Sequence, residues 1–582
     1  MQKKLFNWLS FSTVLLVLAS CGNKAPKEAK YIPKDATVVL AVNPKSLEDK
    51  MKQGNLTIDS FVNKLSVNTD TADANKAKKL WSDFKNSTIN IDENVFLFVV
   101  QKASVQKGEA NAVTLAATIK DEAKFEAFIK GQDELKSKAI QKESNFSYLE
   151  AAYNTSIAWN KEVVLLTMYN KTPKMTFDSL GNYEMPDETT IKKEHKEEVA
   201  RYFNLKAEQS MGSVDLFNNM FKEKADAYGF STSAGTLAAL SGTPLNLPKL
   251  EELLKDNYSA GTFNFEEGKI VVKSVTHTNP MLSSILKKYA GPTVNMSALE
   301  KFPSQNINGA MLVSFNPELF NGLLTELQVG GMVDGFLAGQ GLTSADIFKA
   351  LKGEINVIVS DFSIAPKEMK YQDFEGKTQT YTSSMPSAKL IFSANIGNKL
   401  AFDKLMQKAV ETGFAQKTAT GYRNGVGMTA TSLFLMVDDK NFILASDSAT
   451  YAAYVAGTGK ATISADVLSK LKGKSTATFV DFTSLFTAAM TSGNDESGKK
   501  ALTAANNTFK NIILTSDNFE DKSVKSYFEV NMVNAKQNSL VSTVNFINDL
   551  FTIFKEERAN RKFPSDIEVE DVEDGGLVLP KK

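Results

Sequence analysis

A single cysteine in 582 residues, Cys21, leaves this chain no way to form an internal disulfide. Only two histidines, His195 and His277, are present. With no second thiol they cannot supply the usual zinc ligand sets. A Ser-His-Asp arrangement would have to recruit one of them, and the chain has no G-x-S-x-G elbow. Excess charge of either sign is also missing: Lys+Arg and Asp+Glu both number 67, where a nucleic-acid binder carries a basic surplus. Beyond the first thirty residues no apolar run approaches the roughly 20 residues that span a bilayer. What is present is core material: 42% hydrophobic and 10% aromatic residues suffice for large packed interiors.

The N-terminus explains the lone thiol. Lys3 and Lys4 form a basic n-region, and "LSFSTVLLVLAS" is an apolar stretch of signal-peptide length. Leu18, Ala19, Ser20 and Cys21 then match the lipobox of bacterial lipoproteins: an aliphatic residue, two small residues and cysteine. That resemblance implies cleavage before Cys21, diacylglycerol on its sulfur and acylation of the new amino end. Two or three acyl chains hold a protein on a membrane where one is marginal. Loss of residues 1–20 leaves a body of net charge about −2. Residues 21–35 are polar and basic and are expected to form a lipidated tether. Gly22 in place of an aspartate favours the outer membrane. The single acid Glu28 among lysines favours its periplasmic face over the cell surface.

The body repeats itself. "IPKDATVVLAVNPKSLEDKM" resembles "INGAMLVSFNPELFNGLL", and "TLAATIKDEAKFEAFIK" resembles "IFSANIGNKLAFDKLMQK". "IAWNKEVVLL" resembles "FLMVDDKNFILA", with Trp159 opposite Val437. "GSVDLFNNMF" resembles "TFVDFTSLF", and "GTFNFEEGKIVVKSV" resembles "LTSDNFEDKSVKSYFEV". The order is conserved along the chain, so two homologous halves are expected, 36–300 and 301–562, followed by an acidic flexible tail at 563–582. Runs such as "TVVLAV" and "NVFLFVV" predict strands, turn-linked pairs predict antiparallel hairpins, and Phe125, Phe128 and Ile129 mark a helix face. The fold class is therefore α+β: largely antiparallel sheets, helices packed on one face, and the two halves facing each other across a groove.

The polar residues that recur in both halves are helix caps. Asn43-Pro44 and Asn316-Pro317, Asp121 and Asn398, and Asp215 and Asp481 each stand before a helical run. There a side-chain oxygen accepts from free first-turn amides. The stripe Leu540, Val544, Ile547, Phe551 and Phe554 predicts a final helix used in core or inter-half packing. His195 lies among charges and is expected to be solvated; His277 ends a strand. "GKST" at 473–476 lacks the earlier P-loop glycine, since position 468 is Leu468, and its strand follows it. The glycine-rich stretch 329–346 predicts an apolar loop or a broken helix. Three D-[ST]-aliphatic triplets, at Asp70, Asp178 and Asp447, resemble O-glycan acceptors of exported proteins.

The lipobox, the "YIPKDATVVLAVNP" opening and the repeated body together resemble a family of Bacteroidetes lipoproteins known only as a domain of unknown function. The resemblance implies an envelope lipoprotein and supplies no site residues. The expected function is a non-enzymatic binding or scaffold protein with no cofactor and no metal. Its partners would be the membrane, through Cys21, and an unidentified envelope protein or glycan, with no nucleic acid. The alternatives are a carboxylate-dependent hydrolase and a structural spacer between outer membrane and cell wall.

Overall fold

The computed structural model describes residues 25–560 except 69–70, 105–107, 173–175, 178–182, 185–187, 234–248, 373, 375, 429–430, 460, 462 and 492–494. Eighteen α-helices and twenty-two strands occur among these residues, and twenty of the strands join in one antiparallel sheet. The α+β class is thus observed.

The first ten sheet strands are β1 (Val38–Val42), β2 (Val95–Ser104), β3 (Gly108–Thr118), β4 (Gln141–Lys142), β5 (Ser147–Ala152), β6 (Thr155–Trp159), β7 (Val163–Thr172), β10 (Ala227–Thr232), β11 (Tyr258–Glu266) and β12 (Lys269–His277). The short β8 (Thr176–Phe177) and β9 (Tyr183–Glu184) pair only with each other. The remaining ten are β13 (Ile307–Phe315), β14 (Leu351–Gln372), β15 (Thr378–Ile396), β16 (Ala415–Thr418), β17 (Gly421–Asn424), β18 (Phe434–Val437), β19 (Asn441–Ala445), β20 (Thr476–Asp481), β21 (Phe509–Ser516) and β22 (Ser523–Met532).

Pairing runs β4-β5-β6-β7-β3-β2-β1-β10-β11-β12 and then, across β12–β22, continues β22-β21-β20-β13-β14-β15-β19-β18-β17-β16. The order reads the same from either end towards the middle. The expected groove between halves does not exist at this seam. β12 and β22 pair edge to edge over nine residues, Lys269↔Asn531 to His277↔Ser523, so the backbone groups that would have lined a groove are spent on each other.

Helices cover both faces of the sheet, correcting the expectation of one covered face. On one face, helix Glu188–Phe203 contributes Val199 and Tyr202 to a core with Phe96, Phe98 and Leu165. On the other, helix Glu122–Gly131 presses Phe125 and Ile129 onto Trp159, Val164 and Ala117. The cores around Ile358 and Ile391 and around Phe402 and Met406 divide in the same way beyond the seam. The cause is in the strands. "VVLAV" and "VFLFVV" are apolar at successive positions, and successive side chains point to opposite faces.

The final helix, Ser539–Asn560, returns to the first strands and packs Leu540, Val541 and Val544 on Met51 and Leu56. A Cβ on Gly54 would stand 2.5 Å from Val541 Cγ1, so this approach requires glycine. Of the predicted stripe, Leu540 and Val544 are buried, Ile547 and Phe551 half-buried, and Phe554 is exposed, because the helix outruns the surface beneath it.

A side chain accepts from a first-turn amide at five of the six expected positions, at Asn316 from one residue ahead of the N-cap Pro317. Asn43, Asp121, Asn398 and Asp481 accept from Ser46, Lys124, Ala401 and Thr483 amides at 2.9, 3.0, 3.0 and 3.1 Å, and Asn316 from Glu318 at 3.0 Å. Asp215 is the exception. It is the first residue of helix Asp215–Met220, whose N-cap is Val214 after a 3-10 turn. "GSVDLFNNMF" is accordingly not the counterpart of "TFVDFTSLF" in the sheet; β10 holds the place matching β20.

The tether is shorter than expected. Lys27–Lys30 is a 3-10 turn, and Ala29, Tyr31, Ile32 and Ala36 belong to the core. Their spacing lets lysines 27, 30 and 34 remain outside while the apolar residues between them go in.

Candidate functional site: an open apolar sheet face

Register places five apolar residues side by side on one face of the sheet. Leu40 pairs with Leu97, Leu97 with Leu115, Leu115 with Leu166, and Leu166 with Ile157. Two residues to one side runs the row Val38, Val99, Val113 and Met168. Two residues to the other side, Ala117, Val164 and Trp159 lie beneath helix Glu122–Gly131. Among the described residues the first two rows are less covered: Leu40 is 44% exposed, Met168 45%, Leu166 38%, and Val38 and Leu97 36% each, while Ile157 packs at the edge of the helix. At about 4.8 Å between strands the face is roughly 19 Å across. Contiguous apolar surface of this kind on a folded chain marks an interaction site.

Where the open rows meet the helix lies a cleft of 550 Å³. Its floor is Leu115, Ile157, Val164 and Leu166, its wall Phe125, Phe128, Ile129 and Leu135. At the rim Lys79 bonds Asp83 at 2.8 Å and Gln132 at 3.5 Å, and Glu134 adds a second carboxylate. Size and lining are those of a small-molecule site, apolar with a few polar groups at its edge. Beyond the seam the corresponding row is Met311, Val357, Phe392, Leu444 and Leu435. Phe320 from helix Glu318–Glu326 and Phe348 from helix Ser344–Ala350 stack there at 5.5 Å, with Phe315 6.2 Å from Phe320.

At the end of the sheet near the cleft the N-terminal segment is tied down. Tyr31 donates to Glu162 at 2.8 Å, Lys30 pairs with the same carboxylate, and Lys27 reaches Glu93 at 3.3 Å. Alongside is a polar cavity of 640 Å³, bordered by Lys142, Asn145, Asn160 and Lys161. Glu28 is 2% exposed and its Oε1 has no hydrogen-bond partner; burial pushes its carboxyl up to about 7.

Leu18, Ala19, Ser20 and Cys21 lie outside the described residues, as do the tail 563–582, Asp70 and Asp178. Asp447, heading the third triplet, caps helix Ser448–Ala456 at 2.7 Å from the Thr450 amide. His195 is not solvated. It is 2% exposed, bonded through Nε2 to Ser156 at 2.9 Å and stacked on Tyr169, and burial lowers it to about 4. His195, Val199 and Tyr202 form one helical stripe facing the core. His277 ends β12 and is exposed. "GKST" is a turn between helix Ala465–Leu471 and β20, with Lys474 paired to Asp517 at 2.6 Å. The 329–346 stretch is a broken helix. It spans Gly330–Ala338 and the start of Ser344–Ala350, with Phe336 86% exposed.

The buried carboxylates Glu198, Asp226 and Glu529 are each held by lysine or arginine. Among the described residues no group of three or more His, Cys, Asp or Glu is placed to hold a metal, and no helix is long and apolar enough to cross a membrane. Sequence reasoning missed the open face. Its signal was present in strands apolar at every position, where a sheet with one wet face would alternate.

No curated protein matches the chain. A solved structure titled "Structure of crystal form IV of TP0453" is similar at 10% identity and a TM-score of 0.22, over 45% of this chain and 84% of that one. Residues 29–302, from the docked N-terminal turn to the end of the first ten sheet strands, match the family model described as Domain of unknown function (DUF4836).

Proposed function

We propose that this chain is a lipid-anchored protein of the bacterial cell envelope that binds an apolar ligand on its open sheet face and catalyses no reaction. The observation that carries the binding reading is the row Leu40-Leu97-Leu115-Leu166-Ile157, exposed at Leu40, Leu97 and Leu166 and continuous with the 550 Å³ cleft through Leu115, Leu166 and Ile157. The lipobox Leu18-Ala19-Ser20-Cys21 supports the anchor, and Gly22 supports the outer membrane, periplasmic face. Two homologous halves, of a Bacteroidetes type, complete the reading. Their support is the mirrored strand order, together with register: Leu115 and Phe392, matched in the sheet, are as far apart in sequence as Ile119 and Ile396.

The test is titration of cis-parinaric acid, whose fluorescence rises on entering an apolar site. A Leu97→Asp, Leu166→Asp variant is expected to bind at least about tenfold more weakly, from loss of roughly 1.5 kcal/mol of apolar contact per side chain. Both positions are exposed, so its circular dichroism should match that of the parent. Equal affinity would remove the site. Turnover of an envelope glycan or peptide by the purified chain would install the hydrolase reading instead.

The anchor has its own test. Cys21→Ser should leave uncut precursor or release the protein from membranes, followed by fractionation and mass spectrometry of the N-terminal peptide. Normal processing with unchanged membrane association would refute it.

A further inference from the structure

Resting on that binding reading, we infer that the apolar cleft holds an acyl chain of a lipid taken from the same leaflet that carries Cys21. The argument begins with reach. Ala25 already packs on the core, and it lies four positions after Cys21. Four residues span at most about 14 Å. A lipidated Cys21 therefore holds the point where the chain enters the body close to the membrane surface.

That point lies at one end of the sheet. Lys27 is bonded to Glu93 ahead of β2, and Lys30 and Tyr31 to Glu162 ahead of β7. Ile119, at the end of β3, bridges Ile89. The cleft reaches this same end. Ile89 lines it, Val164 lies two residues past Glu162, and Phe125 lies in the first turn of the helix that follows β3. A membrane lying across this end of the sheet would stand beside the cleft, which is on the opposite face from the core that Ala25 joins. The most concentrated source of apolar ligand at that position is the hydrocarbon of the anchoring leaflet. At the rim Lys79 is paired with Asp83 and Glu134 adds a further carboxylate, so the lining has no cationic surplus to hold an anionic group in place of a neutral chain.

The experiment uses the lipidated full chain in vesicles of phosphatidylethanolamine and phosphatidylglycerol, doped with phosphatidylcholine bearing a diazirine in one acyl chain. Irradiation should label peptides containing Phe125–Leu135 and Val164–Leu166 at least fivefold more in the parent than in the Leu97→Asp, Leu166→Asp variant. A twenty-residue Gly/Ser spacer between Asn23 and Lys24 should cut that labelling at least threefold while leaving binding of cis-parinaric acid in solution unchanged. Labelling confined to residues outside the cleft, or indifferent to the spacer, would overturn the inference. If the lipidated parent binds the soluble probe while its membrane labelling fails, only the lipid source is wrong. If neither occurs, the binding reading falls with it.

Discussion

Replacing Glu529 with alanine is expected to lower stability by about 3–5 kcal/mol, the usual effect of removing one partner from a buried ion pair. Glu529 lies on β22 at the seam and is completely buried. Burial pushes its carboxyl up, but bonds from Lys470 at 2.7 Å, from Tyr527 and from Asn531 at 2.8 Å outweigh that and hold it below the ordinary value. Lys269, on β12 across the seam, stands 3.5 Å away. Alanine would leave Lys470 to Asp466 alone and Lys269 to Glu266 alone, take one of two acceptors from the Asn531 amide, and leave the Tyr527 hydroxyl without its acceptor. Glutamine keeps the shape and one acceptor, so a smaller loss of about 1–3 kcal/mol is expected. Urea midpoints measure both. A loss below 1 kcal/mol for alanine would show that the network does not hold the seam. A double-mutant cycle with Lys470→Met separates the pair's own coupling from the desolvation of the survivor.

The seam also shows where sequence reading stops. Caps such as Asn43, Asp121 and Asn398 were legible because capping is local: an acceptor, a first turn and the amide it meets lie within three residues. Asp215 failed the same test because the 3-10 turn Met211–Ser213 shifted the helix start by one residue, a shift set by packing of Met211 into the core. His195 looked solvated because Lys193, Glu194, Lys196 and Glu197 surround it, yet the spacing to Val199 and Tyr202 already placed it on the inward stripe. The pairing of β12 with β22 joins residues about 250 positions apart, and no local pattern specifies which edge meets which.

The open face was half legible. That β1, β2 and β7 have two apolar faces is written in their residues. That helix Glu122–Gly131 covers only one row of three depends on a ten-residue helix lying across a broader sheet. The first property is chemical and local; the second is a matter of relative size that appears only on assembly. An exposed apolar surface arises here because the sheet is wider than that helix.

The same separation of local chemistry from assembled surroundings governs the last prediction, which concerns pH. Glu28 and His195 are both 2% exposed and titrate in opposite senses. Burial raises Glu28 from 4.5 to about 7, so its contribution to stability is complete below pH 4.5 and is lost as pH rises to 7. Burial lowers His195 from 6.5 to about 4, so its contribution is complete above pH 6.5 and is lost as pH falls to 4. Each amounts to about 3 kcal/mol at 1.36 kcal/mol per pH unit. Between pH 4.5 and 6.5 the two slopes have opposite signs and nearly cancel. Single variants should therefore expose what the parent conceals. Glu28→Gln should gain stability relative to the parent as pH rises from 4.5, reaching about 3 kcal/mol above pH 7. His195→Gln should gain as pH falls from 6.5, reaching a similar figure near pH 4, after any constant packing loss is subtracted. Denaturant midpoints measured at half-unit steps from pH 4 to 8 decide it. Parallel curves for parent and Glu28→Gln would mean that Glu28 finds a partner or water in solution. The N-terminal turn would then carry no pH term from Glu28 and be held by the packing of Ala29, Tyr31 and Ile32 and by the bonds to Glu93 and Glu162.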